Sequence, residues 1–168
     1  MAYEVSRRSF LKGAAALAAA TAASGLLTAC GGGKNDAGVV VGDYKIYFEG
    51  VKSGSETVKE STVYYIEPTV RIKRMEGNGW RSIHYEDAFT SAKVKDQALE
   101  LSNKNDSFGP LDKKQEALCK PRFTTKDEAV CKSAANGELV YFTIVLSKKE
   151  ALFETNLKTG SVKLVVVK

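Results

Sequence analysis

From Val39 to Val167 the chain consists of short runs of alternating apolar and polar residues, punctuated by Gly, Pro, Asn and Lys-rich breaks. A period of two sends successive side chains to opposite faces of a strand, whereas a helix needs apolar residues every three or four positions. The pattern predicts a mainly β domain with one core. Tyr44, Ile46 and Phe48 share one face of the first strand and Lys45 and Tyr47 the other. Residues 50–59, polar and rich in Gly and Ser, read as a connection. Ser61 to Ile66 is the next strand, stopped at Glu67-Pro68 because proline has no N–H for a ladder. Val70 and Ile72 then alternate with Arg71 and Lys73, and Glu76-Gly77-Asn78-Gly79 predicts a hairpin turn into a strand from Trp80 to Tyr85. Leu139 to Leu146 is nearly continuously apolar, as in a strand covered on both faces. Two more strands follow, joined at Lys158-Thr159-Gly160.

Two segments are less regular. Over residues 93–101, Val94, Ala98 and Leu101 would share a helical face, while Leu99 and Leu101 alternate with Ala98 and Glu100; strand is the preferred reading. Between residues 110 and 136, Pro110 and Pro121 bracket a short helix from Leu111 to Cys119. Thr125-Lys126-Asp127-Glu128 is a capping box for a second helix through Ala129, Val130 and Ala134, which Asn136-Gly137 ends. The sequence thus predicts seven to nine strands in a single β-sandwich with a helical insertion at about 110–136.

The first 38 residues obey other rules. Ser6-Arg7-Arg8-Ser9-Phe10-Leu11-Lys12 is a charged head, and the run from Gly13 to Ala29 has only Leu17, Leu26 and Leu27 as strongly apolar residues. About 20 apolar residues are needed to span a bilayer, so this run is a processed signal rather than a permanent span. The segment resembles a twin-arginine translocation signal, with Arg7, Arg8, Phe10 and Leu11 as the export motif. It is joined to Leu27-Thr28-Ala29-Cys30, which resembles the lipobox of bacterial lipoproteins. The resemblance implies passage through the twin-arginine translocon, removal of residues 1–29 and a lipid on Cys30. It also implies that the remainder sits on the extracytoplasmic face of the cell membrane. Residues 30–38, Gly-rich and polar, are then a flexible tether, and 39–168 the globular domain.

With residues 1–29 set aside, 22 Lys and Arg face 19 Asp and Glu, a small excess with no basic block of the kind that tracks phosphates. Nucleic acid is therefore not an expected partner. With Cys30 assigned to the lipid, Cys119 and Cys131 are the remaining cysteines, and an oxidising compartment favours a disulfide between them that staples the helical insertion. A redox pair or two metal thiolates are the alternatives, though the spacing is not C-x-x-C.

Gly42-Asp43-Tyr44-Lys45-Ile46-Tyr47-Phe48-Glu49-Gly50 after the tether resembles the start of small immunoglobulin-like domains of bacterial lipoproteins. Lys93 to Leu101 is similar to a middle strand of such domains. Thr125 to Lys168, a capped helix followed by strands, instead resembles half of a PepSY domain, which implies an α+β fold.

No G-x-S-x-G, G-x-G-x-x-G or P-loop occurs, and His84 is the sole histidine. No catalytic residue and no cofactor are assigned. On a strand, His84 and Glu86 would point to the same side and form the candidate metal ligands. Aromatic residues crowd the N-terminal half, and Tyr64, Trp80 and Tyr85 are the candidate exposed binding surface. The expectation is a non-catalytic binding or adaptor module with an extracytoplasmic protein partner. The alternative is an accessory subunit, inhibitor or metal-dependent enzyme component of an exported complex.

Overall fold

Strand alternation governs the observed architecture, but the strands close on themselves instead of stacking as two sheets. The computed structural model describes residues 38–77 and 82–168. Arg7, Arg8, Phe10, Leu11, Leu27, Thr28, Ala29, Cys30 and Trp80 lie outside the described residues. Val39–Val41 (β1), Tyr44–Val58 (β2) and Ser61–Arg74 (β3) open the domain. Ile83–His84 (β4), the four-residue helix Tyr85–Ala88 (α1), Phe89–Val94 (β5), Gln97–Leu101 (β6) and Ser107–Phe108 (β7) follow. The chain then forms Glu116–Cys119 (β8), Phe123–Thr125 (β9), helix Glu128–Ala135 (α2), and strands Leu139–Leu146 (β10), Lys149–Asn156 (β11) and Ser161–Val167 (β12).

Ten strands make one sheet in the order β1-β2-β3-β9-β6-β5-β10-β11-β12, with β8 also paired to β3; β4 and β7 form a separate small pair. Every pairing is antiparallel. The sheet curls until its ends nearly meet, and the expected immunoglobulin-like sandwich is replaced by one almost closed wall around a common interior. Closure is visible where the β1–β2 turn touches the β10–β11 turn. There the Ser147 hydroxyl donates to the Asp43 carboxylate at 3.1 Å. Gly42, at φ +57°, fits this contact because a Cβ there would lie 2.6 Å from the Ser147 Cβ.

The interior is filled by the predicted alternation. Ile46, Ile66, Val70, Ile72, Val140, Phe142, Ile144 and Phe153 are buried. Phe142 is central: its ring lies 5.8 Å from Phe48 and 5.7 Å from Phe123, while Phe48 also meets Phe153 at 5.7 Å. β10 is fully buried on its inward residues and half-buried on the outward ones, so its second face is only partly covered.

Four local expectations are corrected. Residues 50–58 are strand, because the register slips one residue between Phe48 and Gly50 and leaves Glu49 as a bulge. Before the bulge Tyr44, Ile46 and Phe48 point inward; after it Val51 and Ser53 do. Glu67-Pro68 does not stop a strand either, since β3 runs on to Arg74. Residues 93–101 are a β-hairpin around Lys95-Asp96, not one strand. Finally, among the described residues β3 pairs with β2, β8 and β9, and Ile83–His84 pairs with β7 rather than with β3 as the expected hairpin requires.

The helical insertion is half correct. Asp127 caps α2 by accepting from the Ala129 N–H at 2.9 Å, and Asn136-Gly137 ends it with Gly137 at φ +109°. Residues 111–119, by contrast, are turn and strand. Arg74, 5% exposed at the end of β3, donates from Nη1 to the Leu111 carbonyl at 2.7 Å, and its own carbonyl accepts from Lys114 N–H. This tertiary contact outweighs the weak local preference of a short helix. Nor is the insertion stapled. Cys119 and Cys131 are separate, buried free thiols. Cys119 sits on β8 opposite Val70 with its sulfur hydrogen-bonded to the Tyr85 hydroxyl, whereas Cys131 lies on α2.

Burial pushes the Cys119 thiol up to about 12, against the lowering effect of Tyr85. It pushes Cys131 up to about 11, helped by the Asp127 charge. Both remain protonated and shielded at neutral pH. Native protein is therefore expected to resist a thiol-alkylating reagent, while the chain unfolded without reductant takes up label at both positions. A mass showing neither site labelled after unfolding without reductant would reinstate the disulfide.

The β2–β3 turn stores strain. Lys59 and Glu60 have φ of 46° and 68°, in a two-residue turn that prefers Asn-Gly. Left-handed backbone costs a non-glycine residue roughly 1–2 kcal/mol. Lys59→Asn combined with Glu60→Gly is expected to raise stability by about 1 kcal/mol after the added glycine entropy is deducted. The urea midpoint should rise with its slope unchanged.

Candidate functional site

Directly opposed residues of an antiparallel pair share a face, so the register decides what the outer wall presents. One outward row runs Val40, Lys45, Lys73 and Glu116 across β1, β2, β3 and β8. The neighbouring row is Tyr47, Arg71 and Leu118. The Arg71 guanidinium lies 4.3 Å from the Tyr47 ring centroid, with Lys45 Nζ at 5.3 Å on the same ring. Arg71 also donates from Nε to Glu49 at 2.7 Å and from Nη1 to Glu116 at 3.2 Å. The β2 bulge supplies Glu49 to this cluster. Val40 and Leu118 stay 60% and 52% exposed beside it.

Further along the same wall sits a denser cluster. Glu67, only 4% exposed, receives Arg122 Nε at 2.7 Å and Lys52 Nζ at 2.8 Å. Arg122 extends a second prong to Glu56 at 2.7 Å and stacks 4.5 Å from the Tyr65 ring centroid. Burial pushes the Glu67 carboxyl up, but the hydrogen bonds and charges of Lys52 and Arg122 outweigh it and hold the group below its ordinary value. Asn103 fixes the loop before β9 by accepting from the Arg122 N–H at 2.8 Å. The cluster clamps β9 to the β2–β3 pair, and each buried charge in it is partnered.

The sequence-predicted surface is distributed differently. Tyr85 is buried: its ring packs edge-on to Phe89 at 5.2 Å and near Phe108 at 6.3 Å, and its hydroxyl accepts from Lys120 N–H at 3.0 Å. Tyr64 is half-buried against the core. The exposed patch expected through these two tyrosines is therefore not formed, and Tyr47 and Tyr65 take the outward positions. His84 ends β4 and Glu86 lies in the first turn of α1, so they do not alternate along one strand; both are exposed. Among the described residues no group of three or more His, Cys, Asp and Glu is placed to hold a metal ion. A shallow cleft of about 180 Å³ lies between the β5–β6 turn and the start of α2, lined by Val94, Lys95, Gln97, Asp127, Ala129, Val130 and Ser133.

Lys52, Glu67 and Arg122 were not singled out by sequence. Arg122 lies 55 residues from Glu67, and no local pattern links them. The outward alternation of Arg71 and Lys73 was readable; that Tyr47 and Leu118 flank them depends on register.

Residues 4–24 match the family described as TAT (twin-arginine translocation) pathway signal sequence. The signal implies export out of the cytoplasm through the twin-arginine translocon, and the match covers the signal and not the described domain. Among curated proteins none matches the chain. Among solved structures, the chain is similar to a functionally unknown protein from Listeria monocytogenes EGD-e. Identity is 13%, over 77% of this chain and 78% of that one, with a TM-score of 0.42. Likeness at that level establishes neither family nor function.

Proposed function

We propose that the exported chain is a lipoprotein anchored through Cys30 on the extracytoplasmic face of the membrane. Its β domain is a non-catalytic binding module that works through the uncovered outer wall of β1, β2, β3 and β8. The observation that carries this reading is sequential: a twin-arginine signal over residues 4–24 runs directly into Leu27-Thr28-Ala29-Cys30, just ahead of the first strand. Several acyl chains, each contributing about 0.8 kcal/mol per buried CH₂, hold a protein at a bilayer without any protein contact. The domain is then free to use its surface for recognition.

Fractionation of cells that possess the translocon tests the anchor. Arg7→Lys with Arg8→Lys is expected to leave an uncut precursor in the cytoplasm. Cys30→Ala is expected to permit export yet release the protein from the membrane fraction. Retention of the Cys30→Ala protein in washed membranes would show that something other than a lipid on Cys30 holds it.

A further inference from the structure

We propose that the outer wall of β1, β2, β3 and β8 docks on the anionic phospholipid headgroups of the membrane that carries the Cys30 lipid. This rests on the anchored-lipoprotein reading and names the ligand of its binding wall. Val40 and Leu118 are the two most exposed large apolar side chains among the described residues, and both stand on this wall. Between them Lys45 lies directly opposite Lys73. The two carboxylates nearby, Glu49 and Glu116, are both engaged by Arg71, and among the described residues Lys73 forms no ion pair. An anionic surface attracts the lysines of this wall, while Val40 and Leu118 meet the headgroup boundary.

Chain length points to the same wall. Gly38, the first described residue, lies against the Tyr47 ring so closely that a Cβ on it would be 2.7 Å from two ring carbons, so the domain is joined to the tether on this wall. Eight residue steps reach at most about 28 Å. A domain of this length has a radius of gyration of about 14 Å and hence a diameter of about 35 Å. The tether is shorter than the domain is wide, so the wall beside Gly38 is held closest to the bilayer.

The test uses the full chain, exported and acylated in cells, with Val40→Cys, Leu118→Cys or, as a control on the outward side of β6, Ala98→Cys. Each is labelled with bimane; Cys119 and Cys131 are buried and stay unlabelled under native conditions. The protein is reconstituted into phosphatidylcholine vesicles with or without phosphatidylglycerol, with nitroxide-bearing lipid as quencher. Quenching at positions 40 and 118 is expected to be several-fold stronger than at 98 when phosphatidylglycerol is present. It should fall to the level of position 98 in phosphatidylcholine alone, in Lys45→Glu with Lys73→Glu, and in about 1 M salt, where screening shortens to about 3 Å. The salt arm needs no charge-reversed variant to fold. Equal quenching at all three positions, in acylated protein that floats with the vesicles, overturns the docking wall and leaves the anchor standing. Equal quenching with and without phosphatidylglycerol overturns the anionic recognition. A chain that carries no acyl mass and does not float overturns the anchor, and this inference with it.

Discussion

Phe142→Ala is expected to destabilise the domain by about 3–5 kcal/mol, the largest effect of any single truncation considered. The ring is 2% exposed and lies where the two halves of the curled sheet face each other, touching Phe48 from β2 and Phe123 from β9. Its removal deletes transfer energy and leaves a cavity whose walls are strands hydrogen-bonded on both sides, β10 being paired with β5 and β11. Such walls cannot collapse without breaking ladders, which places the cost at the upper end of its range. The thermal midpoint should fall by on the order of 10–20 °C. Phe142→Leu, which keeps most of the volume, should cost less than about 1.5 kcal/mol. Equal losses for the two variants would mean that the interior around Phe142 is not close-packed.

Arg122→Ala is the second large effect, expected to cost about 2–3 kcal/mol near neutral pH. Removing one partner of a buried ion pair costs roughly 3–5 kcal/mol; Lys52 stays on Glu67 at 2.8 Å, which reduces the loss. The stacking on Tyr65 and the Glu56 contact disappear as well. The pH dependence identifies the cause. In the native protein the folded Glu67 carboxyl is held below its reference value of 4.5. Its contribution is thus complete above that value and is lost as pH falls through the lower folded value. Without Arg122, burial dominates and the folded value rises, so the acid limb of the variant's stability curve shifts to higher pH. The difference between the two proteins should be widest near pH 7 and narrow as the solution is acidified below the carboxylate range. A difference independent of pH would assign the loss to packing of the arginine stem. Arg122→Lys retains a charge but not the two-pronged geometry and should fall between them.

How much of this was legible in the sequence follows from the range of each interaction. Period-two alternation reports a local property, so the β class, the three C-terminal strands and the turn after Asn156 were all readable, while β10 was read as covered on both faces although its outward residues are only half-buried. The helix cap was readable too, displaced by two residues because Asp127 rather than Thr125 takes the capping position. Sheet closure was not, because the contact of Asp43 with Ser147 spans 104 residues and depends on one small turn meeting another. The polar Gly- and Ser-containing composition of residues 50–58 made them look like a loop, and the bulge at Glu49 that inverts the phase of β2 has no sequence signal of its own. The segment before Cys119 was misread for a further reason: its fate is decided by buried Arg74, which binds the Leu111 carbonyl across 37 residues. Compartment logic alone suggested the disulfide, yet the fold places the two thiols on separate elements of its interior. The outer wall proposed for docking was the least legible feature, since Tyr47, Arg71 and Leu118 become neighbours only through the β2–β3–β8 register.

The anchored reading has one direct measurement: the denatured intact mass of the protein extracted from washed membranes without reductant, before and after alkylation. The account predicts a chain beginning at Cys30, carrying the mass of acyl chains, and gaining alkyl groups at Cys119 and Cys131 alone. A protein recovered from the soluble exported fraction, with a different first residue and an unmodified Cys30 or none, would contradict it.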